Sequence, residues 1–203
     1  MIAAVIPTRF HPPQLAPLLT LLEADGVQTH VLESGDFGHR IYAMWNEGVK
    51  RAALGGADYV AVLNDDITIL PGTLPLMAHA LGTDPLVGVV YPDVRVPLDV
   101  LPTEPLTLES TKGSWGPGGM TGFCFMFRTP LFLPVFDESY RWWYGDDDFE
   151  ERVRGAGRLV CRITGLPIRH TADGSASQVW AEIEPLTVAD RNLWESRHKE
   201  VSA

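Results

Sequence analysis

Tyr59-Val60-Ala61-Val62-Leu63 runs without a break into Asn64-Asp65-Asp66. A short apolar run rich in β-branched and aromatic residues suits a strand covered on both faces, as in a parallel sheet. The polar residues that follow end the strand and leave two adjacent carboxylates at its carboxyl end. In an open α/β sheet, ligands bind beyond that end. A chain that carries this junction is therefore expected to fold around a buried, two-sided sheet.

The flanking residues keep the same rhythm. Ile2 to Ile6 is an apolar run broken by Pro7-Thr8-Arg9, and Leu15, Leu18, Leu19 and Leu22 recur at helical spacing before Gly26. Val27 to Leu32 predicts a strand. Ile41 to Leu54 predicts a helix stopped by Gly55-Gly56. Leu74 to Leu81 predicts a short helix and Leu86 to Tyr91 another buried strand. This alternation implies a single α/β domain of Rossmann-like type, with a mostly parallel central sheet and helices on both faces. With 203 residues, 45% of them hydrophobic and 21% charged, the chain is long and apolar enough for one sizeable core.

The rhythm changes after Tyr91. Pro92 to Gly119 is rich in Pro, Gly, Thr and Ser and has no sustained period, and a loop of that length in a compact domain usually serves function. Met120 to Arg128 predicts a strand, Phe149 to Gly157 a helix and Leu159 to Ile163 a further strand. The tail, Val179 to Ala203, has mixed helical character. Cys124 and Cys161 lie in apolar, strand-like surroundings without a partner at metal-ligand spacing, so both are expected to be buried free thiols.

The formal net charge of -10 narrows the partners. An acidic surface repels phosphate backbones and anionic lipid, so unmodified nucleic acid is not an expected partner. An anionic small molecule would need a cation between it and the protein. No apolar run approaches the roughly 20 residues that cross a bilayer, and the first residues lack a charged leader. The expectation is a cytoplasmic protein with no integral membrane segment.

Four clusters could carry chemistry. Asn64-Asp65-Asp66 reads either as a solvated turn or as an oxygen-ligand site for a hard divalent ion, which commonly bridges carboxylates to phosphates. Trp142-Trp143-Tyr144-Gly145-Asp146-Asp147-Asp148 reads as an acid-rich helix start, or as aromatic faces for sugar rings beside a general base. Crowding raises the pKa of at least one of those acids, which suits a base. His170 can complete a cation's coordination shell or be an ordinary surface histidine. Glu33 and Asp36 follow the second strand, where acids can accept hydrogen bonds from a ribose or base, or simply form a polar turn.

In their order along the chain these features resemble the inverting family-2 glycosyltransferases of the GT-A fold. The matching elements are Pro7-Thr8-Arg9 after the first strand and Glu33 after the second, then Asn46-Glu47-Gly48 on a helix. Leu63-Asn64-Asp65-Asp66 follows as a variant of the Asp-Xaa-Asp motif, with Pro71-Gly72 behind it. Further on come Gly118-Gly119-Met120-Thr121-Gly122-Phe123-Cys124, Phe136-Asp137-Glu138, and the acid run from Tyr144 to Arg152. The likeness covers about residues 2 to 175. It departs from the family pattern in having Asn64 at the first motif position and no Glu in the catalytic motif.

The resemblance implies transfer of a sugar from a UDP-, GDP- or dTDP-linked donor to an acceptor glycan, protein or small molecule, with Mn²⁺ or Mg²⁺ as cofactor. It implies donor contacts at Pro7, Thr8, Arg9, Glu33, Asn46, Asn64 and Asp65. Metal contacts fall on Asp66, with Asp65 and His170 as further ligands. The general base is Asp146 or Asp147: alignment on Arg152 selects Asp146, and alignment on Tyr144-Gly145 selects Asp147. Trp115, Trp142 and Trp143 are expected to cover the donor or receive the acceptor. Residues 1–92 then form a nucleotide-sugar-binding half, 93–175 an acceptor and catalytic half of the same domain, and 176–203 a partly helical tail. Two other readings stay open: a nucleotidyltransferase, and a non-catalytic nucleotide- or carbohydrate-binding module of the same fold.

Overall fold

A computed structural model describes residues 1–38, 40–111, 119–129, 135–171 and 180–198. The elements are β1 (Ile2–Thr8), α1 (Leu15–Ala24), β2 (Gln28–Glu33), a 3₁₀ turn (Ser34–Phe37), α2 (Ile41–Leu54), β3 (Tyr59–Leu63), β4 (Ile67–Thr68) and α3 (Thr73–Thr83). There follow β5 (Val87–Asp93), β6 (Leu108–Ser110), β7 (Cys124–Arg128), α4 (Gly145–Gly155), β8 (Leu159–Pro167), β9 (Arg169–His170) and α5 (Trp180–His198). No described helix is long and apolar enough to cross a membrane.

A seven-stranded sheet in the order β2-β1-β3-β7-β5-β8-β6 forms the centre, and β4 pairs with β9 in a separate two-stranded ladder. β2, β1, β3, β5 and β8 run one way, so the large sheet is mostly parallel. β7 runs against both its neighbours, β3 and β5, and β6 runs against β8. Parallel neighbours require a crossover connection, usually a helix. Between β5 and β7 the chain passes through the long Pro- and Gly-rich segment, which contains β6, and β7 enters the sheet reversed.

β3 is buried on both sides, as its composition requires. Val60 and Val62 join a core with Val5, Trp45, Phe125, Phe127 and Phe149, under α2 and α4. Ala61 and Leu63 join the opposite core with Ile6, Leu22, Met77 and Leu81, under α1 and α3. Gly48 lets α2 lie directly on the sheet, because a Cβ there would run into the side chains of Val5 and Leu32. Cys124 and Cys161 are both buried and free.

Several stretches differ from the sequence expectation: β1 runs on through Pro7 to Thr8, β8 runs on to Pro167, and the expected loop from Pro92 to Gly119 contains β6. The strand expected from Met120 begins only at Cys124, since Thr121 and its neighbours form a turn closed by Thr121 Oγ1 donating to the Cys124 carbonyl at 3.2 Å. The helix expected from Phe149 starts four residues earlier, at Gly145, and takes Asp146, Asp147 and Asp148 into its first turn. Negative side chains there oppose the positive end of the helix dipole. The tail, expected to be partly helical, holds over its described residues a 19-residue helix, α5, that packs Ile183, Asp190 and Trp194 inward.

Candidate functional site

The parallel strands β1, β2 and β3 end together, and a cavity of about 410 Å³ opens at that edge. Its wall takes Pro7, Thr8 and Arg9 from the end of β1, and Asn64, Asp65 and Asp66 from the end of β3. Ile41, Tyr42, Met44 and Trp45 come from α2, and Gly122 and Phe123 from the turn before β7. Trp142, Trp143 and Asp146 come from the entry to α4, and His170 and Thr171 from β9 and its exit.

Asp65 and Asp66 are both almost fully buried, and each has a separate environment. Thr8 Oγ1 donates to Asp65 Oδ2 at 2.7 Å, which ties β1 to the end of β3. Burial pushes the Asp65 carboxyl above the ordinary range, against the pull of that hydrogen bond, and the neighbouring Asp66 charge adds to the rise. Asp66 faces β9. The β4–β9 ladder pairs Ile67 with His170, and the Thr171 N–H donates to the Asp66 carbonyl at 3.1 Å. That ladder holds His170 Nε2 3.0 Å from Asp66 Oδ1. The imidazole also lies flat on Phe123, with centroids 4.4 Å apart and planes 6° from parallel.

The Asp66–His170 contact fits a divalent cation. Asn64 Nδ2 lies 3.4 Å from His170 Nε2, and an amide donating there requires the lone pair on Nε2. In that tautomer Asp66 Oδ1, buried, has no hydrogen-bond donor among the described residues; in the other, His170 Nε2–H donates to it at 3.0 Å. A buried carboxylate oxygen and an imidazole lone pair facing each other are a donor set for a hard or borderline cation. Among the described residues no group of three His, Cys, Asp or Glu side chains converges. Asp66 and His170 could therefore supply two ligands, as in sites where substrate phosphates provide others.

Across the cavity, Tyr42 Oη donates to Asp146 Oδ1 at 3.1 Å. Gly145 and Gly122 make this contact possible. A Cβ on Gly145 would overlap the Tyr42 ring, and one on Gly122 would overlap the Asp146 carboxylate. Burial raises the Asp146 carboxyl above its ordinary range, partly offset by hydrogen bonds from the Asp146 and Asp147 amides and from Tyr42. Asp147 is raised as well, by burial first and then by the charges of Asp146, Glu150 and Glu151. Tyr144, the N-cap of α4, has φ 67°, a left-handed conformation that costs a residue with a Cβ roughly 1–2 kcal/mol. The turn that aims Asp146 is thus held against a local preference.

Of the residues expected from sequence, the cavity collects Pro7, Thr8, Arg9, Asn64, Asp65, Asp66, Trp142, Trp143, Asp146 and His170. Asp36, exposed on the 3₁₀ turn, and three others are not in its lining. Glu33 is exposed and faces His11 Nε2 at 2.9 Å. Asn46 is committed to the fold, donating to the Phe136 carbonyl at 2.8 Å and accepting the Phe136 N–H at 2.9 Å. Asp147 is half-buried on α4 beside the site. Trp115 lies outside the described residues. The sequence reading missed Tyr42, Trp45 and Phe123, which look like ordinary core aromatics until the folded chain brings them to the cavity.

Solved structures of similar shape include glycosyltransferases. Glucosyl-3-phosphoglycerate synthase from Mycobacterium tuberculosis, in complex with Mn²⁺, UDP and phosphoglyceric acid, matches with a TM-score of 0.57 and 11% identity, over 93% of this chain and 76% of that one. A glycosyltransferase involved in the glycosylation of the major capsid of PBCV-1 matches with a TM-score of 0.55 and 11% identity, over 91% and 98%. TarS from S. aureus matches with a TM-score of 0.56 and 12% identity, over 93% of this chain and 64% of the TarS fragment. This chain therefore has the GT-A glycosyltransferase fold. The sequence matches no protein-family model and no curated protein.

Proposed function

We propose that this chain is a metal-dependent, inverting glycosyltransferase that moves a sugar from a nucleotide-sugar donor to an acceptor hydroxyl. One observation carries the reading: the Asp66–His170 pair and the Tyr42-held Asp146 carboxylate, contributed by distant parts of the chain, line one cavity at the carboxyl edge of the sheet.

The donor lies along the strand ends, with Pro7, Thr8, Arg9 and Asn64 beside its nucleotide and Asp65 fixed behind them by Thr8. Asp66 and His170 would hold a divalent cation, such as the Mn²⁺ found with UDP in the mycobacterial synthase, and it would neutralise charge on the donor diphosphate. The acceptor rests against Trp142 and Trp143, and its hydroxyl meets Asp146. Asp146 takes the hydroxyl proton as the oxygen forms its bond to the anomeric carbon. The bond from that carbon to the diphosphate oxygen breaks, the electron pair leaves with the nucleoside diphosphate, and configuration inverts. General-base help of this kind contributes roughly 100- to 10,000-fold.

The test is a thermal-shift panel of UDP-, GDP- and dTDP-sugars with and without Mn²⁺, followed by assay of nucleoside diphosphate release. At least one nucleotide is expected to stabilise the protein only with the metal. If none does, the reading fails. Tight metal-dependent binding with no release from any donor would instead identify a non-catalytic binding module.

A further inference from the structure

Trp142, Trp143 and Asp146 of the site sit on one short stretch, from Arg141 to Asp146, and α5 grips that stretch. Asp190 is 2% exposed. Its carboxylate accepts the N–H groups of three successive residues: Arg141 at 3.1 Å to both oxygens, Trp142 at 2.7 Å and Trp143 at 3.0 Å. Successive amides that converge on one anion form a concave backbone nest, and hydrogen bonds from N–H groups to a carboxylate are among the stronger kind.

The neighbours of Asp190 on α5 extend the grip. Arg191 Nε donates to Tyr144 Oη at 3.2 Å, and Trp194 stacks on the Tyr144 ring with centroids 6.1 Å apart. Arg197 pairs with Asp137 at 2.7 Å. On the other side, the Arg141 carbonyl accepts the N–H of Ile41, the first residue of α2, at 3.0 Å. The stretch is thus pinned from both sides, immediately before the left-handed Tyr144 and the cavity-lining Asp146. None of this was visible as a motif, since Asp190 is a single acid in a tail of mixed character.

We infer that Asp190 is a positioning residue: its carboxylate sets the backbone of residues 141–144 so that Trp142, Trp143 and Asp146 face the cavity. It touches neither donor nor acceptor. The inference rests on the transferase reading for its catalytic consequence, and on the hydrogen-bond pattern alone for its structural one. A carboxylate is needed because Oδ2 accepts all three N–H groups and Oδ1 faces the Arg141 N–H as well, so both side-chain atoms must be acceptors. An amide at the same position would turn an NH₂ group toward one of them.

The test uses Asp190→Asn in the full chain, with Asp190→Ala beside it. Hydrogen exchange is expected to quicken at least about tenfold at residues 141–147 and to stay unchanged in β1 and β3. Mn²⁺-dependent binding of UDP or GDP should remain within about twofold of wild type. Nucleoside diphosphate release should fall at least tenfold in kcat, with the donor KM nearly unchanged. Exchange that rises throughout the chain, or donor binding that falls in step with kcat, would make Asp190 a general stability residue and overturn the inference. So would a loosened 141–147 segment with undiminished kcat. A wild type inert toward every donor refutes the transferase reading alone. The positioning role is then decided by whether exchange quickens only at 141–147.

Discussion

Tyr42 and Asp146 stand 104 residues apart and meet at 3.1 Å, with the phenol donating to the carboxylate. The contact stabilises the ionised form of a carboxyl that burial otherwise pushes toward protonation. A base must be ionised to work, and a raised pKa keeps it protonated at pH values where an ordinary carboxylate is charged. The acid limb of kcat/KM should therefore lie above the ordinary carboxylate value of about 4. Tyr42→Phe removes a hydrogen bond to the charged form and should move that limb to still higher pH. A limb that stays put or moves down in the variant would remove Tyr42 from this role.

Asp146→Asn should lower turnover by roughly 100- to 10,000-fold, the usual contribution of a general base. Nucleotide binding with Mn²⁺ should persist, because the Asp66–His170 contact is made without Asp146. Asp147→Asn should cost less than about tenfold, since Asp147 is not in the cavity lining. The reverse order of the two effects would assign the base to Asp147.

Asp66→Ala and His170→Ala should each weaken the Mn²⁺-dependent part of nucleotide binding, read as loss of the metal-dependent thermal shift. The two effects should not add, because both residues face one position and share its ligand. Metal-dependent binding that survives Asp66→Ala would place the cation elsewhere.

Gly122→Ala directs a methyl group into the Asp146 carboxylate. Overpacking of this kind costs roughly 1–3 kcal/mol, and here the simplest relief is displacement of Asp146. Turnover should fall more than Tm does. An alanine variant with full activity would show that the turn before β7 is free to retreat.

Asp93 gives a separate expectation for acid stability. Hydrogen bonds from Arg95, reinforced by the charge of Arg162, hold its carboxyl down to about 2, although burial opposes them. The folded pKa lies below the unfolded value of about 3.9, so the folded state binds fewer protons in between. The stabilisation is complete above about pH 4 and is lost as pH falls toward 2. Asp93→Asn should lower Tm at neutral pH and flatten its decline across that window, as followed by thermal melts at successive pH values.

The parallel layers of the fold were legible because their residues announce them. The Tyr59–Leu63 run can only be covered on both faces, and Ile41 to Leu54 has the helix's period and glycine stops. The reversed strand β7 was legible as a strand, but its direction and place were not. Both depend on pairings made far along the chain, Leu63 with Cys124 and Val90 with Met126. The same limit applied to the site. Asp66 and His170 could each be named from local context, but only the short β4–β9 ladder, too brief to leave a periodic signal, shows that they face each other. Tyr42, Trp45 and Asp190 carry no local signature, because their importance comes from what they touch.

β7 lies between β3 and β5, although it is made after both. A chain ending near residue 92 would hold β3 and β5 without the strand that joins them, and Asp66 without the imidazole it faces. The two halves of the site are therefore not exchangeable modules. The acids at the end of β3 acquire their setting only once residues 124–128 and 169–170 have been added. A binding-competent form should emerge only late in synthesis, and a recombinant fragment that stops short of β7 would leave β3 and β5 with open edges instead of a weaker nucleotide site.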